Sequence, residues 1–77
     1  MKIEPSRTIE KKLGDRIYQL RIQANMTQEN LSYKAMVSEA TVSRAESGRT
    51  SLNVCNLRFF SKALGVSMSE LLRGLDQ

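Results

Sequence analysis

Apolar residues recur along this 77-residue chain with the spacing of helices. From about Thr8 to Asn25, Ile9, Leu13, Ile17, Leu20 and Ala24 fall three or four positions apart, which marks one face of a helix. Four later segments then share one plan: an apolar residue, a capping side chain, three helix-tolerant residues and a second apolar residue. They are Met26-Thr27-Gln28-Glu29-Asn30-Leu31, Val37-Ser38-Glu39-Ala40-Thr41-Val42, Leu52-Asn53-Val54-Cys55-Asn56-Leu57 and Val66-Ser67-Met68-Ser69-Glu70-Leu71. In each, the capping oxygen satisfies an orphan N–H, and the flanking apolar pair fixes the angle at which the chain joins the helix. Glu70, three residues after Ser67, is expected to complete a capping box there. Gly48 and Gly65 stand where the third and fourth helices should stop, as glycines in the left-handed region do. The pattern therefore predicts five helices, at about 8–24, 28–35, 39–47, 54–64 and 68–74. No segment alternates with the period of two that a strand requires, so the predicted class is all-α.

The inward faces follow from the same spacing. Leu31 and Ala35, Val42 and Ala45, then Leu57, Phe60 and Leu64, and finally Leu71 with Leu75 are the expected core of helices two to five. A chain this short has room for one core, so residues 1–77 form a single domain with an N-terminal arm at 1–7.

Composition narrows the function. A net charge of +4 with a pI near 9.6 suits an anionic partner without proving one. Most of the surplus lies in the first 25 residues, where Lys2, Arg7, Lys11, Lys12, Arg16 and Arg21 outnumber Glu4, Glu10 and Asp15. Lys11, Lys12 and Arg16 read as a solvated face. With no histidine and one cysteine, Cys55, a zinc site of the usual kind cannot be built and no internal disulfide can form. No nucleophile–base pair and no Gly-rich phosphate loop stands out, so no enzyme chemistry, cofactor or small-molecule ligand is implied. Charges break every apolar stretch, which argues against a membrane span or signal peptide and predicts a soluble, cytoplasmic protein. Cys55 reads as a helix-start residue without redox importance, with a redox-sensing role left open, and Tyr18 and Tyr33 read as packing residues.

Helices two and three are separated by only Met36-Val37-Ser38, a turn suited to two helices meeting at a steep angle. Here "TQENLSYKAMVSEATVSRAESGR" resembles the helix-turn-helix of the phage-repressor and Cro (XRE-type) family, and "LGVSMSELL" resembles the usual end of that domain. The similarity runs from about Leu13 to Leu72, and the chain's length is also similar to that of restriction–modification controller proteins. The resemblance implies a five-helix, lambda-repressor-like domain with its helix-turn-helix at about 27–47. It implies a sequence-specific regulator of transcription that binds double-stranded DNA as a homodimer on a palindromic operator.

Roles carry over position by position. Gln28, with Thr27 beside it, falls where a family member holds a phosphate at the start of helix two. Ser38, Glu39, Ala40, Thr41, Ser43 and Arg44 fall on the groove-facing part of helix three, while Ser47 and Arg49 fall at the backbone-contacting positions after it. Arg21 and Glu46 match an ion pair that ties helix one to the end of helix three. Met36 departs from the family pattern, since it replaces a glycine where the backbone should be left-handed. Ser32 and Ser61 replace alanines, and each hydroxyl needs a carbonyl one turn back.

On the helical wheel, Val42 and Ala45 lie opposite Ala40, Ser43 and Arg44, with Glu39 at the flank. Glu39 is the anomaly, a carboxylate on a face meant for a polyanion. As the first helical residue it is favoured by the helix dipole, and as a reader it would accept from cytosine N4. Surplus apolar residues place dimerisation at about 54–75, on Phe59, Met68, Leu71, Leu72 and Leu75. Two other readings share the pattern: a DNA-binding antitoxin with a toxin surface, and a module whose third helix meets protein.

Overall fold

A computed structural model describes the backbone from Pro5 to Gln77 and the side chains from Ile9 onward. The helices are α1 (Pro5–Gln23), α2 (Gln28–Ala35), α3 (Glu39–Glu46), α4 (Val54–Leu64) and α5 (Met68–Leu72), with no strand among the described residues. The all-α class holds. The expected arm at 1–7 lies partly outside the described residues, and from Pro5 the chain is already helical. Proline suits a first turn, where its missing N–H would have no partner.

The four repeated helix starts form as their chemistry dictates. Thr27, Ser38, Asn53 and Ser67 all have extended backbones, and their side chains accept from the N–H groups of Asn30, Thr41, Asn56 and Glu70. The reciprocal capping box forms at α2, not at α5: Asn30 Oδ1 accepts from the Thr27 N–H at 3.2 Å. At Ser67 the cap is made by the serine oxygen, whose hydroxyl also meets that of Ser69. The flanking apolar pairs Met26–Leu31, Val37–Val42, Leu52–Leu57 and Val66–Leu71 all belong to, or pack on, one hydrophobic cluster.

That cluster is centred on Ile17, Leu31, Ala35, Val42, Ala45, Phe60 and Leu71. α1 lies against α3 and α5, and α2 lies against α3 and α4. Leu57 and Leu64 are half-buried at the edge of this core. The hydroxyls of Ser32 and Ser61 are satisfied one turn back, by the carbonyls of Glu29 (2.8 Å) and Arg58 (2.9 Å).

The C-terminal expectation needs correction. Helix five stops at Leu72, because Arg73 is extended and Gly74 has φ 75°. An apolar stripe from Met68 to Leu75 therefore does not exist as one helical face. The chain turns after Leu72, and Leu71 (0% exposed) and Leu75 (6%) are buried in the core as their spacing predicts, which leaves them little surface for the dimer contact also expected of them. Phe59 is also not fully exposed: it packs on the edge of the core beside the wholly buried Phe60.

Arg16 braces this stop: its guanidinium donates to the carbonyls of Glu70 (2.9 Å) and Leu71 (3.2 Å) in the last turn of α5 and to that of Arg73 (2.9 Å) just beyond it. Lys12 donates to the Gln77 carbonyl at 2.8 Å. Of the presumed solvated face, only Lys11 fits that description, paired loosely with Asp15.

Candidate nucleic acid interface

The α2–α3 turn sets the approach of the two helices. Met36 is left-handed, with φ 60° and ψ 39°. Its N–H donates to the Tyr33 carbonyl at 3.3 Å, and the Val37 N–H reaches back to Ser32 O at 3.1 Å. These are the closing bonds of a Schellman-type stop, a geometry that glycine adopts without the steric penalty a side chain carries. The Met36 side chain is 76% exposed, so nothing visible in packing compensates.

α3 is eight residues long, and an α-helix with its side chains is about 10–12 Å across, comparable to the width of a DNA major groove. Val42 and Ala45 on one side are buried. Ser38, Glu39, Ala40, Ser43 and Arg44 on the other side are exposed, and Thr41 is half-buried. The outward surface is thus small and polar apart from Glu39 and Arg44. Ser38 Oγ accepts from the Thr41 N–H at 3.0 Å and lies 2.9 Å from Thr41 Oγ1. Just beyond the helix, Ser47 and Arg49 are exposed, and the Ser47 hydroxyl donates to the Arg44 carbonyl at 3.1 Å.

Behind this face lies a nearly enclosed charged cluster. Arg21 Nε donates to Glu46 Oε2 at 2.6 Å and Arg21 Nη2 to Glu46 Oε1 at 3.0 Å, a bidentate pair with side chains 10% and 7% exposed. Arg21 Nη1 donates to the Met26 carbonyl in the α1–α2 turn at 2.9 Å. Gln28 Nε2 adds a third bond to the same carboxylate, to Oε1 at 3.0 Å. The Glu46 hydrogen bonds hold the Arg21 guanidinium above its ordinary range, outweighing the opposite pull of burial. The Tyr18 ring, 5.2 Å from the guanidinium carbon, covers the outer side.

Gly14 seats the same helix from α1. A Cβ there would lie 2.3 Å from the Ala45 carbonyl oxygen and 2.7 Å from that of Glu46. Only a bare Cα lets α1 approach the end of α3 this closely. Gly14 and Arg16 are the two positioning residues that sequence reasoning missed. A glycine inside a strongly apolar-periodic helix was a usable signal for the first. The second had none, because its partners are backbone carbonyls more than 50 residues away.

The expected contact residues Thr27, Gln28, Ser38 to Thr41, Ser43, Arg44, Ser47 and Arg49 are carried by α2, α3 and their flanks. Of the expected dimer residues, Phe59 lies on α4, Met68, Leu71 and Leu72 lie on α5 and Leu75 lies in the turn after it; Met68 is half-buried and Leu72 is 39% exposed. Tyr33 is not a packing residue: it is 87% exposed near the end of α2, because its position points away from both α3 and α4. Tyr18 is 43% exposed over Arg21. Among the described residues no acidic, histidine or cysteine cluster could hold a metal, and no helix is long and apolar enough to cross a membrane.

A helix-turn-helix family model matches residues 17–71, which contain α2, α3, α4 and most of α5. The HTH-type transcriptional activator BcrR of Enterococcus faecalis is 38% identical over 61 residues, 79% of this chain but 30% of BcrR. This chain therefore spans less than a third of that relative. The control protein C.BamHI of Bacillus amyloliquefaciens is 33% identical over 60 residues, covering 77% of this chain and 74% of that one. In structure, the restriction–modification controller protein C.AhdI from Aeromonas hydrophila matches 80% of this chain and 94% of its own, with a TM-score of 0.79 at 26% identity.

Proposed function

Because the chain belongs to the helix-turn-helix family, we propose that it is a transcriptional regulator that binds duplex DNA, as a homodimer, with α3 in the major groove. One observation carries the reading. α3 buries one face completely and presents on the other a narrow, small-residue surface with a single exposed arginine. A groove-reading helix needs that shape, and the regulators among its relatives support the same use.

In this reading Arg44 meets a base edge or phosphate, since arginine to guanine is the commonest specific pairing. Glu39 accepts from a cytosine amino group, with Ser38, Ala40, Thr41 and Ser43 shaping the rest of the surface. Gln28, with Thr27, and Ser47 with Arg49 hold the two flanking phosphate strands.

One α3 spans only a few base pairs, so a usable site needs two, held about 34 Å apart, and the operator is palindromic. The second copy covers the apolar surface that remains around Leu72, Met68 and the edge of Phe59. Leu72 also borders an apolar groove with Ile9, Leu13, Leu52 and Leu57. Such a surface favours covering by a partner.

Selection of bound duplexes from a random pool tests the proposal. Enrichment of a palindrome with half-sites about one helical turn apart is the expected result. Recovery of no duplex even at low salt would contradict DNA binding and favour a protein partner for α3.

A further inference from the structure

We propose that Glu46 is a positioning residue for a phosphate contact made by Gln28, so that the buried Arg21–Glu46 pair ties the reading helix to the backbone clamp. The inference rests on the DNA-binding reading above.

The geometry leaves little freedom at Gln28. A carboxylate only accepts hydrogen bonds, so the end of the Gln28 carboxamide that faces Glu46 must be its NH2 group. One N–H is thereby used on Oε1, and the carbonyl end of the amide is turned away. The second N–H is the donor that remains. Gln28 is the first residue of α2, so this donor belongs to the helix end whose open backbone N–H groups suit an anion. Without Glu46, the half-buried amide could rotate and present its oxygen, which repels a phosphate.

Charge explains why Arg21 belongs to the device. Glu46 alone would place an uncompensated carboxylate one side chain from a phosphate. Arg21 neutralises it with two hydrogen bonds and fixes its plane, while its third bond, to Met26 O, anchors the residue just before Thr27. The three residues therefore link α1, the start of α2 and the end of α3 through a single carboxylate.

The test uses a duplex recovered by selection, in which single phosphates are replaced in turn by uncharged methylphosphonates. The unaltered protein is expected to lose roughly tenfold in affinity at each contacted phosphate, as for a hydrogen bond to a charged group. Gln28→Ala identifies its own phosphate as the position that becomes insensitive. The double variant Arg21→Met with Glu46→Met, which removes both buried charges together, should become insensitive at that position while keeping full sensitivity at the Arg49 phosphate. If the double variant does not fold, Glu46→Asp makes the same test, since it retracts the carboxylate by one methylene and is expected to give the same local loss.

Full sensitivity at the Gln28 phosphate in the folded variant would overturn the inference, as would an equal loss at the Arg49 phosphate. If Gln28→Ala leaves every position sensitive, Gln28 touches no phosphate, and the inference falls while DNA binding stands. If the unaltered protein binds no duplex, the functional reading fails and takes this inference with it.

Discussion

Glu39 sits exposed at the first position of α3, where the helix dipole favours a carboxylate whatever the helix meets. Its substitution separates two roles by sign. If Glu39 only starts the helix, Glu39→Ala relieves repulsion and tightens every duplex alike. If it accepts from cytosine, the same change weakens the selected duplex and strengthens random DNA, compressing the ratio from both ends. We expect the second result; equal tightening on both duplexes at one fixed salt concentration would contradict it. Arg49, exposed beyond the helix, is the electrostatic counterpart. Arg49→Ala should weaken all sequences alike and flatten the salt dependence by about one unit of slope per chain. A loss confined to one sequence would instead make Arg49 a reader. Exposed polar positions such as these were legible in the sequence, because burial of Val42 and Ala45 fixes which face of α3 is outward. The destination of a long side chain was not. Gln28 reaches inward to Glu46, and Arg16 reaches across to α5, and neither partner is local.

Elements are held by two kinds of interaction, and they differ in how openly the sequence announces them. Caps and apolar staples involve residues within five positions of one another, so all four repeated helix starts could be read directly. The extent of α5 could not, because its end is braced by Arg16 and turned at Gly74 and does not follow its own apolar spacing. Met36 belongs to the legible kind and gives a stability test. Met36→Gly should stabilise the protein by about 1 kcal/mol in urea unfolding, since a left-handed residue gains by losing its Cβ and the exposed side chain contributes little packing. An unchanged midpoint would mean that the turn relaxes in solution. Arg21→Met tests the opposite sign. It strands a carboxylate that is 7% exposed, so a loss of roughly 3–5 kcal/mol is expected, part of it recovered when Glu46 also becomes apolar. Unfolding midpoints unchanged by the single substitution would show that the pair contributes nothing to the fold.

For the whole molecule, one small core has to support both a reading surface and the proposed contact with a second copy. The exposed edge of α5 is where these needs meet, since Leu71 faces the core while Leu72 faces outward. Leu72→Glu should therefore yield folded monomers by light scattering, with much weaker binding to a palindromic duplex. Dimers that persist would move the contact elsewhere on the surface. The arrangement of α1, α2 and α3 serves the other need. Gly14 and the Arg21–Glu46 pair seat α3 from behind, so that its outer residues are presented in one register. The central claim is that this seated helix reads sequence, and Arg44 tests it most directly. The measurement is the affinity of the unaltered protein and of Arg44→Ala for the selected duplex, for each single base-pair variant of it, and for random DNA, all at one salt concentration. We expect Arg44→Ala to lose roughly 1–3 kcal/mol per half-site on the selected duplex and to lose its preference at one base-pair position, with much less change on random DNA. An equal loss on selected and random DNA, with every base preference intact, would contradict the claim that α3 reads sequence through Arg44.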